Sequence, residues 1–199
     1  MPGAPGLALE TWDSTNLNGR SIVVAGAQLF SIPAERYNHP MLLAVITISD
    51  RCSQGLMIDT AGPAVAALLL QNWPQADLHT ELLPDDEDAI VSLLNQVVGE
   101  GARLALTVGG TGLGPRDHTP EATRRVIDRE APGLAEAMRS IGAAQNKFSW
   151  LSRGVVGLKG STLIVNLPGS KRGAEESLAN ILPLLKHGIE VAAGGQTHP

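Results

Sequence analysis

Four consecutive acidic residues, at positions 85–88, follow one apolar segment and precede another. An aspartate is a preferred N-cap of a helix, and acidic side chains favour the positive end of the helix dipole. One cap needs only one aspartate, however. Carboxylates clustered at the end of a strand could instead hold Mg²⁺, which prefers oxygen ligands. The spacing alone leaves both interpretations open.

A glycine-rich loop follows the next apolar segment, with four glycines among residues 109–114. Glycine lets the backbone approach a ligand closely, and successive N–H groups in such a loop can form an anion-binding nest. Thr119 is predicted to cap a helix whose first position is Pro120, so the positive end of that helix would face the same ligand. The loop matches neither a Walker motif nor a clean dinucleotide fingerprint. A glycine-rich turn without function is the alternative.

Two further loops carry polar side chains after apolar segments. Residues 49–53 read Ser-Asp-Arg-Cys-Ser and are also explained as an ordinary capped connection into a helix. Residues 166–173 place Lys171 and Arg172 after a tight turn, either as a solvated surface pair or as a phosphate clamp. Arg153 could add another cation to such a clamp.

Composition excludes several classes of function. The chain has 199 residues, of which 43% are hydrophobic and 18% charged, so it is expected to fold around a core rather than remain disordered. A net charge of −5 and six aromatic residues argue against nucleic-acid binding. The five histidines are scattered, without metal-ligand spacing, and the single Cys52 is interpreted as structural. No apolar run is long enough to span a membrane and the N-terminus does not resemble a signal peptide, which predicts a cytoplasmic protein.

The elements that would position these loops alternate between strand and helix from residue 41 onward. Short β-branched apolar runs at 42–48, 78–83, 104–108, 155–158 and 163–167 predict strands, and segments 63–73, 87–98, 120–130, 134–145 and 174–193 predict helices. This order predicts an α/β protein with a mostly parallel sheet and helices on both faces. Ligands bind such sheets at the carboxyl ends of the strands, where the loops above would lie. Residues 1–40 are expected to form an N-terminal extension of unknown role that packs on a sheet edge or a neighbouring subunit, and residues 41–199 the domain.

Five segments in order resemble the molybdopterin adenylyltransferase family, which includes bacterial MogA, its paralogue MoaB and the G domain of gephyrin. They are residues 48–51 (Ile-Ser-Asp-Arg), 109–112 (Gly-Gly-Thr-Gly), 116–122 (Arg-Asp-His-Thr-Pro-Glu-Ala), 151–154 (Leu-Ser-Arg-Gly) and 166–171 (Asn-Leu-Pro-Gly-Ser-Lys). The resemblance covers about residues 41–192.

This resemblance implies a three-layer α/β/α sandwich that binds molybdopterin and uses Mg-ATP to adenylylate its terminal phosphate, with release of pyrophosphate. It implies catalytic roles for Asp85 and Asp117, which could converge on Mg²⁺. The implied contacts to molybdopterin or nucleotide are Ser49, Asp50, Gly109, Gly110, Thr111, Gly112, Thr119, Ser152, Asn166, Pro168, Gly169, Ser170 and Lys171.

The resemblance also implies a homotrimer or hexamer and a downstream partner that inserts molybdate. Some members of the family bind molybdopterin without transferase activity, so a non-catalytic, MoaB-like binding protein is one alternative. An unrelated phosphate-sugar enzyme on a doubly wound sheet is the other. Both aspartates are present in this chain, which favours the enzyme.

Overall fold

The computed structural model describes residues 40–195 of the chain. Its elements, in chain order, are β1 Leu42–Ile48, α1 Asp50–Ser53, α2 Ala61–Asn72, β2 Asp77–Leu83, α3 Glu87–Gly99, β3 Leu104–Val108, α4 Thr119–Val126, β4 Arg129–Glu130, α5 Pro132–Gln145, a 3₁₀ helix Lys147–Leu151, β5 Val156–Lys159, β6 Thr162–Leu167 and α6 Lys171–Ala192.

The six strands form one sheet in the order β2-β1-β3-β6-β5-β4. The first four strands in that order are mutually parallel, whereas β5 runs antiparallel to both β6 and β4. Leu43 of β1 pairs with Leu104 of β3, which pairs with Leu163 of β6, so equivalent positions of the three central strands share one level. The predicted mostly parallel α/β sheet is therefore confirmed.

Strand alternation sends side chains into two separate cores, one on each face of the sheet. Leu43, Leu104 and Leu163 pack on one face with residues of α2, α5 and α6. Ala44, Ala105 and Ile164, one residue further along each strand, pack on the other face with residues of α3 and α4. Each fully buried leucine or isoleucine contributes about 1.5–3 kcal/mol through removal of its surface from water. The result is the three-layer sandwich expected from the sequence.

Three local predictions differ from the structure. The helix predicted over 120–130 ends at Val126, because Arg129 and Glu130 pair with Leu158 and Gly157 of β5 as strand β4. Helix α6 begins at Lys171, earlier than predicted, since the side chain of Ser170 caps it by accepting a hydrogen bond from the N–H of Gly173. The short helix α1 and the 3₁₀ helix were not predicted at all. Each difference depends on pairing or capping that periodicity does not report.

The expected N-terminal extension, apart from residue 40, lies outside the described residues. Within residues 40–195 no helix combines the length and the apolar character needed to cross a membrane.

Candidate functional site

The loops after β1, β2, β3 and β6 meet at one edge of the sheet, because the four strands run in the same direction. The N–H of Ser49 donates to the carbonyl of Leu83 at 2.9 Å, which joins the loops after β1 and β2. The N–H of Gly109 donates to the carbonyl of Leu167 at 3.1 Å, which joins the loops after β3 and β6. The sequence-predicted site segments are thus neighbours in space.

A cavity of about 610 Å³ opens beside these loops. The predicted contact residues that line it are Gly110, Thr111, Gly112, Asp117, Ser152, Pro168, Gly169 and Ser170. Arg172 of the predicted phosphate clamp also lines it, together with Gly173 of the same turn. The remaining lining residues lie outside the predicted site and come from the end of α5, the 3₁₀ helix and the first turns of α6: Gly142, Gln145, Asn146, Phe148, Ser149, Leu151, Glu176 and Ser177. The 64% exposed Phe148 gives this part of the lining an apolar surface, but no sequence pattern indicated its position at a cavity.

The remaining predicted residues lie around the cavity rather than on its lining: Ser49, Asp50, Asp85, Gly109, Thr119, Asn166 and Lys171. Ser49 acts as the N-cap of α1, where its Oγ accepts the N–H of Cys52 at 3.3 Å. This is the capping role that the sequence left open for that loop. Cys52 itself is buried and has a free thiol.

The acidic cluster divides between two tasks. Asp86 caps α3 by accepting the N–H of Ala89, and Glu87 and Asp88 both accept hydrogen bonds from Arg125 of α4. Asp85 instead turns toward the site. The capping interpretation is therefore confirmed for Asp86, and the Mg²⁺ interpretation stays a prediction for Asp85.

Asp50 and Asp85 are joined by a reciprocal pair of hydrogen bonds. The N–H of Asp50 donates to Asp85 Oδ2 and the N–H of Asp85 donates to Asp50 Oδ1, each at 3.1 Å. Arg116 Nε donates to the other Asp50 oxygen, Oδ2, at 2.6 Å. Asp50 thus holds Asp85 in place on one side and carries a cation on the other.

The two carboxyls consequently differ in acidity. The Arg116 hydrogen bond lowers the pKa of Asp50 below its usual value of 3.8. Burial raises the pKa of Asp85 above that value, and the nearby charges of Asp50 and Asp117 act in the same direction. A carboxylate whose charged form is disfavoured in this way is stabilised most by a bound cation.

Asp85 and Asp117 both lie against the glycine-rich loop, Asp85 at Gly110 and Asp117 at Gly112 and Gly114. Gly110 adopts a φ of +62°, and a Cβ at that position would lie 2.2 Å from Thr119 Oγ1 and 2.8 Å from Asp85 Oδ1. Asp117 Oδ2 accepts the N–H of Gly114 at 2.7 Å, further along the loop. The loop backbone therefore runs against both carboxyls, with no room for a side chain at Gly110.

Thr119 is the first residue of α4 rather than its predicted cap, and His118 precedes the helix without a capping side-chain hydrogen bond. The Thr119 hydroxyl is buried and has no hydrogen-bond partner within the described part of the chain. This is a polar group beside Asp85 that the fold leaves unsatisfied.

Asn166 does not present its side chain to the cavity opening. Its amide nitrogen donates to Thr107 Oγ1 at 2.9 Å and Thr123 Oγ1 at 2.8 Å, and its Oδ1 accepts the N–H of Val155 at 3.0 Å. The residue is 1% exposed. Its amide links β3, β6, α4 and the start of β5 from inside the protein.

The structure also gives the three cations of the predicted phosphate clamp contacts that the sequence did not predict. Lys171 is exposed in the first turn of α6, whereas Arg172 Nε pairs with Glu176 at 2.6 Å across one helical turn. Arg153 does not face the cavity as a free cation, since its guanidinium donates to the carbonyls of Gly112 and Asp117 and to Glu121.

The acidic groups could hold Mg²⁺ only together with a ligand. Residues 40–195 contain no group of three or more histidine, cysteine or acidic side chains arranged to hold a metal. Mg²⁺ is commonly bound by one or two carboxylates together with substrate phosphates and water. Asp85 and Asp117 supply hard oxygen donors next to a glycine-rich loop, so the donor set fits Mg²⁺ brought with a nucleotide.

The fold and this edge define a ligand-binding α/β sandwich protein whose site is built from the carboxyl ends of four parallel strands. Residues 44–187 match the family described as "probable molybdopterin binding domain", and the chain belongs to that family. The family predicted from the five segments is thereby confirmed.

Individual relatives agree with this assignment. The chain is 38% identical to the molybdenum cofactor synthesis protein cinnamon of Drosophila melanogaster, over 74% of this chain and 25% of cinnamon. It is 38% identical to the molybdopterin adenylyltransferase of Haemophilus influenzae, over 70% of this chain and 72% of that enzyme. The crystal structure of the molybdopterin biosynthesis enzyme MoaB from Thermus thermophilus is 45% identical, with a TM-score of 0.72 over 77% of this chain and 97% of MoaB.

The relatives differ greatly in length. The chain spans only 25%, 47% and 24% of three of them, so it corresponds to one part of those larger proteins.

Carboxyl titration tests the electrostatics of the Asp50–Asp85 pair. We expect Asp85 to titrate above 3.8 and Asp50 below it, because burial disfavours the Asp85 charge while Arg116 favours that of Asp50. The stabilisation contributed by the Asp50–Arg116 contact is then present above the unfolded-state pKa of Asp50 and lost as the pH falls through its folded-state pKa. Carbon-detected NMR of the side-chain carboxyls measures both values, and the reverse order would contradict this account.

Substitution of Gly110 tests the close approach of the loop. We expect Gly110→Ala to lower the free energy of unfolding by roughly 1–3 kcal/mol more than Gly101→Ala, since it adds overpacking against Thr119 and Asp85. Gly101 is a matched control, because it also has a positive φ, +87°, but its Cβ would meet nothing within 4 Å. Urea denaturation measures both variants, and equal losses would show that the space around Gly110 is not limiting.

Asn166→Ala should destabilise the fold by roughly 2–4 kcal/mol, because it leaves two threonine hydroxyls and the Val155 N–H without their buried partner. Asn95→Ala is the control, since Asn95 makes a single side-chain hydrogen bond, to the Val91 carbonyl, on the exposed face of α3. Its effect should stay within about 0.5 kcal/mol. A small loss at Asn166 in chemical denaturation would contradict a structural role for its amide.

Proposed function

We propose that this chain catalyses the Mg-ATP-dependent adenylylation of molybdopterin, a step of molybdenum cofactor biosynthesis. The observation that carries the proposal is that Asp85 and Asp117 both lie against one glycine-rich loop, Asp85 at Gly110 and Asp117 at Gly112 and Gly114, and that this loop lines a cavity of about 610 Å³. The molybdopterin adenylyltransferases among the relatives support the choice of an enzyme of this class.

In the proposed reaction a terminal phosphate oxygen of molybdopterin attacks the α-phosphorus of ATP. A new bond forms between that oxygen and the α-phosphorus, the bond from the α-phosphorus to the bridging oxygen of the β-phosphate breaks, and pyrophosphate leaves. Such transfers depend on positioning and on charge stabilisation more than on covalent chemistry by the protein.

The glycine-rich loop and the N-terminus of α4 would hold the phosphates. Both direct peptide dipoles at an anion, and the Thr119 hydroxyl adds an unpaired donor beside Asp85. Lys171 and the Ser170–Gly173 turn would contact the ligand from the other side of the cavity. The acidic residues that line the cavity are Asp117 and Glu176, and Asp85 lies beside it. The charge of Glu176 is paired with Arg172.

Asp85 and Asp117 would hold Mg²⁺ jointly with the phosphates of ATP. Bound there, Mg²⁺ would neutralise negative charge that develops on the transferred and leaving phosphate oxygens. The raised pKa of Asp85, caused chiefly by its burial, fits this role, since Asp85 forms no ion pair within residues 40–195 whereas Asp50 is paired with Arg116.

A cytoplasmic location, assembly into a homotrimer or hexamer, and delivery of the product to a molybdate-insertion protein complete the proposal. They follow from the family resemblance and not from the geometry of this chain.

A non-catalytic, MoaB-like protein that only binds molybdopterin is the second candidate, supported by the description of the matched family as a "probable molybdopterin binding domain". It predicts tight binding of molybdopterin without ATP-dependent release of pyrophosphate. A pyrophosphate-release assay with purified molybdopterin separates the two candidates directly.

We expect Asp85→Asn and Asp117→Asn each to reduce turnover by about 10²–10³-fold, because each removes a negative charge directed at the proposed Mg²⁺ while keeping the shape of the side chain. Molybdopterin binding should persist in both variants. The control is Asp88→Asn, which removes an exposed acid of the same cluster whose hydrogen bond is to Arg125. Near-normal pyrophosphate release by either site variant would assign that residue a structural role.

A further inference from the structure

Arg153 makes an unusual set of contacts for a residue outside the four site loops. It lies between the 3₁₀ helix and β5, and its own N–H donates to the carbonyl of Thr111 at 2.9 Å. Its Nε donates to the carbonyl of Gly112 at 2.6 Å and its Nη2 to the carbonyl of Asp117 at 2.5 Å. One residue therefore binds three carbonyls of the glycine-rich segment, from a distant part of the chain.

The remaining guanidinium nitrogen is occupied as well. Nη1 pairs with Glu121 of α4, the helix that follows the loop. A guanidinium presents its donors in a rigid planar fork, whereas a lysine ammonium is a compact point charge on a flexible stem. A lysine could not make these contacts from one planar group, and each of the three guanidinium nitrogens of Arg153 has a partner within the protein.

The three carbonyls fix the direction of other groups. In a trans peptide the N–H points opposite to the carbonyl of the same unit. With their carbonyls bound to Arg153, the peptides that follow Thr111, Gly112 and Asp117 direct their N–H groups, on residues 112, 113 and 118, away from it. Between these peptides the N–H of Gly114 donates to Asp117 Oδ2. Arg153 thus binds the backbone before and after that hydrogen bond, at Gly112 and at Asp117.

We infer that Arg153 is a positioning residue for the adenylyl transfer, which sets the glycine-rich loop and Asp117 in the orientation that receives phosphate. The inference rests on the proposed function for its catalytic consequence, but the order it imposes on the loop is a property of the protein without ligand. Misplacement of reacting groups by about 1 Å can cost about 10²-fold in rate, so a positioning defect is measurable.

The first test is kinetic and uses pyrophosphate release by the full chain. We expect Arg153→Ala and Arg153→Lys each to lower kcat by about 10–100-fold. Millimolar guanidinium should restore part of the turnover of Arg153→Ala, because it can occupy the vacated donor positions. The same concentration of sodium chloride should not restore it, and guanidinium should not restore Asp117→Asn.

A matched control comes from α4 itself. Arg124 forms an exposed ion pair with Glu130, with Nε and Oε1 3.1 Å apart, so its guanidinium is directed at β4 rather than at the loop. Arg124→Ala should keep kcat close to that of the unmodified chain, since exposed ion pairs contribute little. A kcat in Arg153→Lys equal to that of the unmodified chain would overturn the inference, as would a folded Arg153→Ala that guanidinium does not rescue.

The second test does not depend on turnover. Backbone hydrogen exchange of residues 110–119 should be at least about tenfold faster in Arg153→Lys than in the unmodified chain, while exchange in α2 stays unchanged. Arg153→Lys keeps a cation opposite Glu121, so it reports on the loop even if Arg153→Ala does not fold. Unchanged exchange of the loop would overturn the inference. If the unmodified chain releases no pyrophosphate but Arg153→Lys still shows the faster exchange, the proposed transferase activity is rejected and the positioning role of Arg153 is retained.

Discussion

The site depends on the close packing of backbone against backbone at Gly109. A Cβ on this residue would lie 2.2 Å from the carbonyl oxygen of Ile48 and 3.8 Å from the Cα of Gly169, and its φ of +113° is one that L side chains rarely adopt. The ends of β1, β3 and β6 can therefore converge only because residue 109 has no side chain. This convergence places the loop that begins with Asp50, the glycine-rich loop and the turn before Ser170 next to one another at one edge of the sheet. The parallel register of the strands makes the convergence possible, and the missing Cβ makes it tight.

Electrostatic asymmetry between neighbouring carboxyls gives this edge its chemical character. Asp50 and Asp85 exchange equivalent backbone hydrogen bonds, yet within residues 40–195 Asp50 forms an ion pair with Arg116 and Asp85 forms none. The arginine lowers the pKa of Asp50, whereas burial raises that of Asp85. Two carboxyls that hold each other in place therefore differ in how strongly the protein favours their charged forms.

The sequence predicts the fold and the loops that meet at one edge of the sheet, because both follow from short-range patterns. Buried strands at 42–48 and 104–108 are legible from β-branched apolar runs, and parallel strands place their following loops at a common edge. It could not predict that residues 129–130 form a strand, since their pairing partners, 157 and 158, are fixed by tertiary contact. Nor could it separate Asp85, turned toward the site, from Asp86, which caps a helix one residue later. Composition identifies the acidic cluster, but backbone direction decides what each acid does.

The sequence also could not predict what the side chains of Asn166 and Arg153 contact. Both stand in motifs that resemble those of the family, and both carry side chains suited to a phosphate or a pterin. The fold instead directs them inward, Asn166 to hydroxyls 59 and 43 positions away and Arg153 to carbonyls 41 and 36 positions away. A site that holds a flexible, highly charged ligand needs its loops fixed before the ligand arrives, because ordering them on binding would cost affinity. Glycine makes the loop able to approach phosphate and also makes it entropically costly to order. Asn166 and Arg153 bind hydroxyl and backbone groups behind the loop and thereby offset that cost. Part of the role of such a motif is therefore to support the site rather than to contact the ligand.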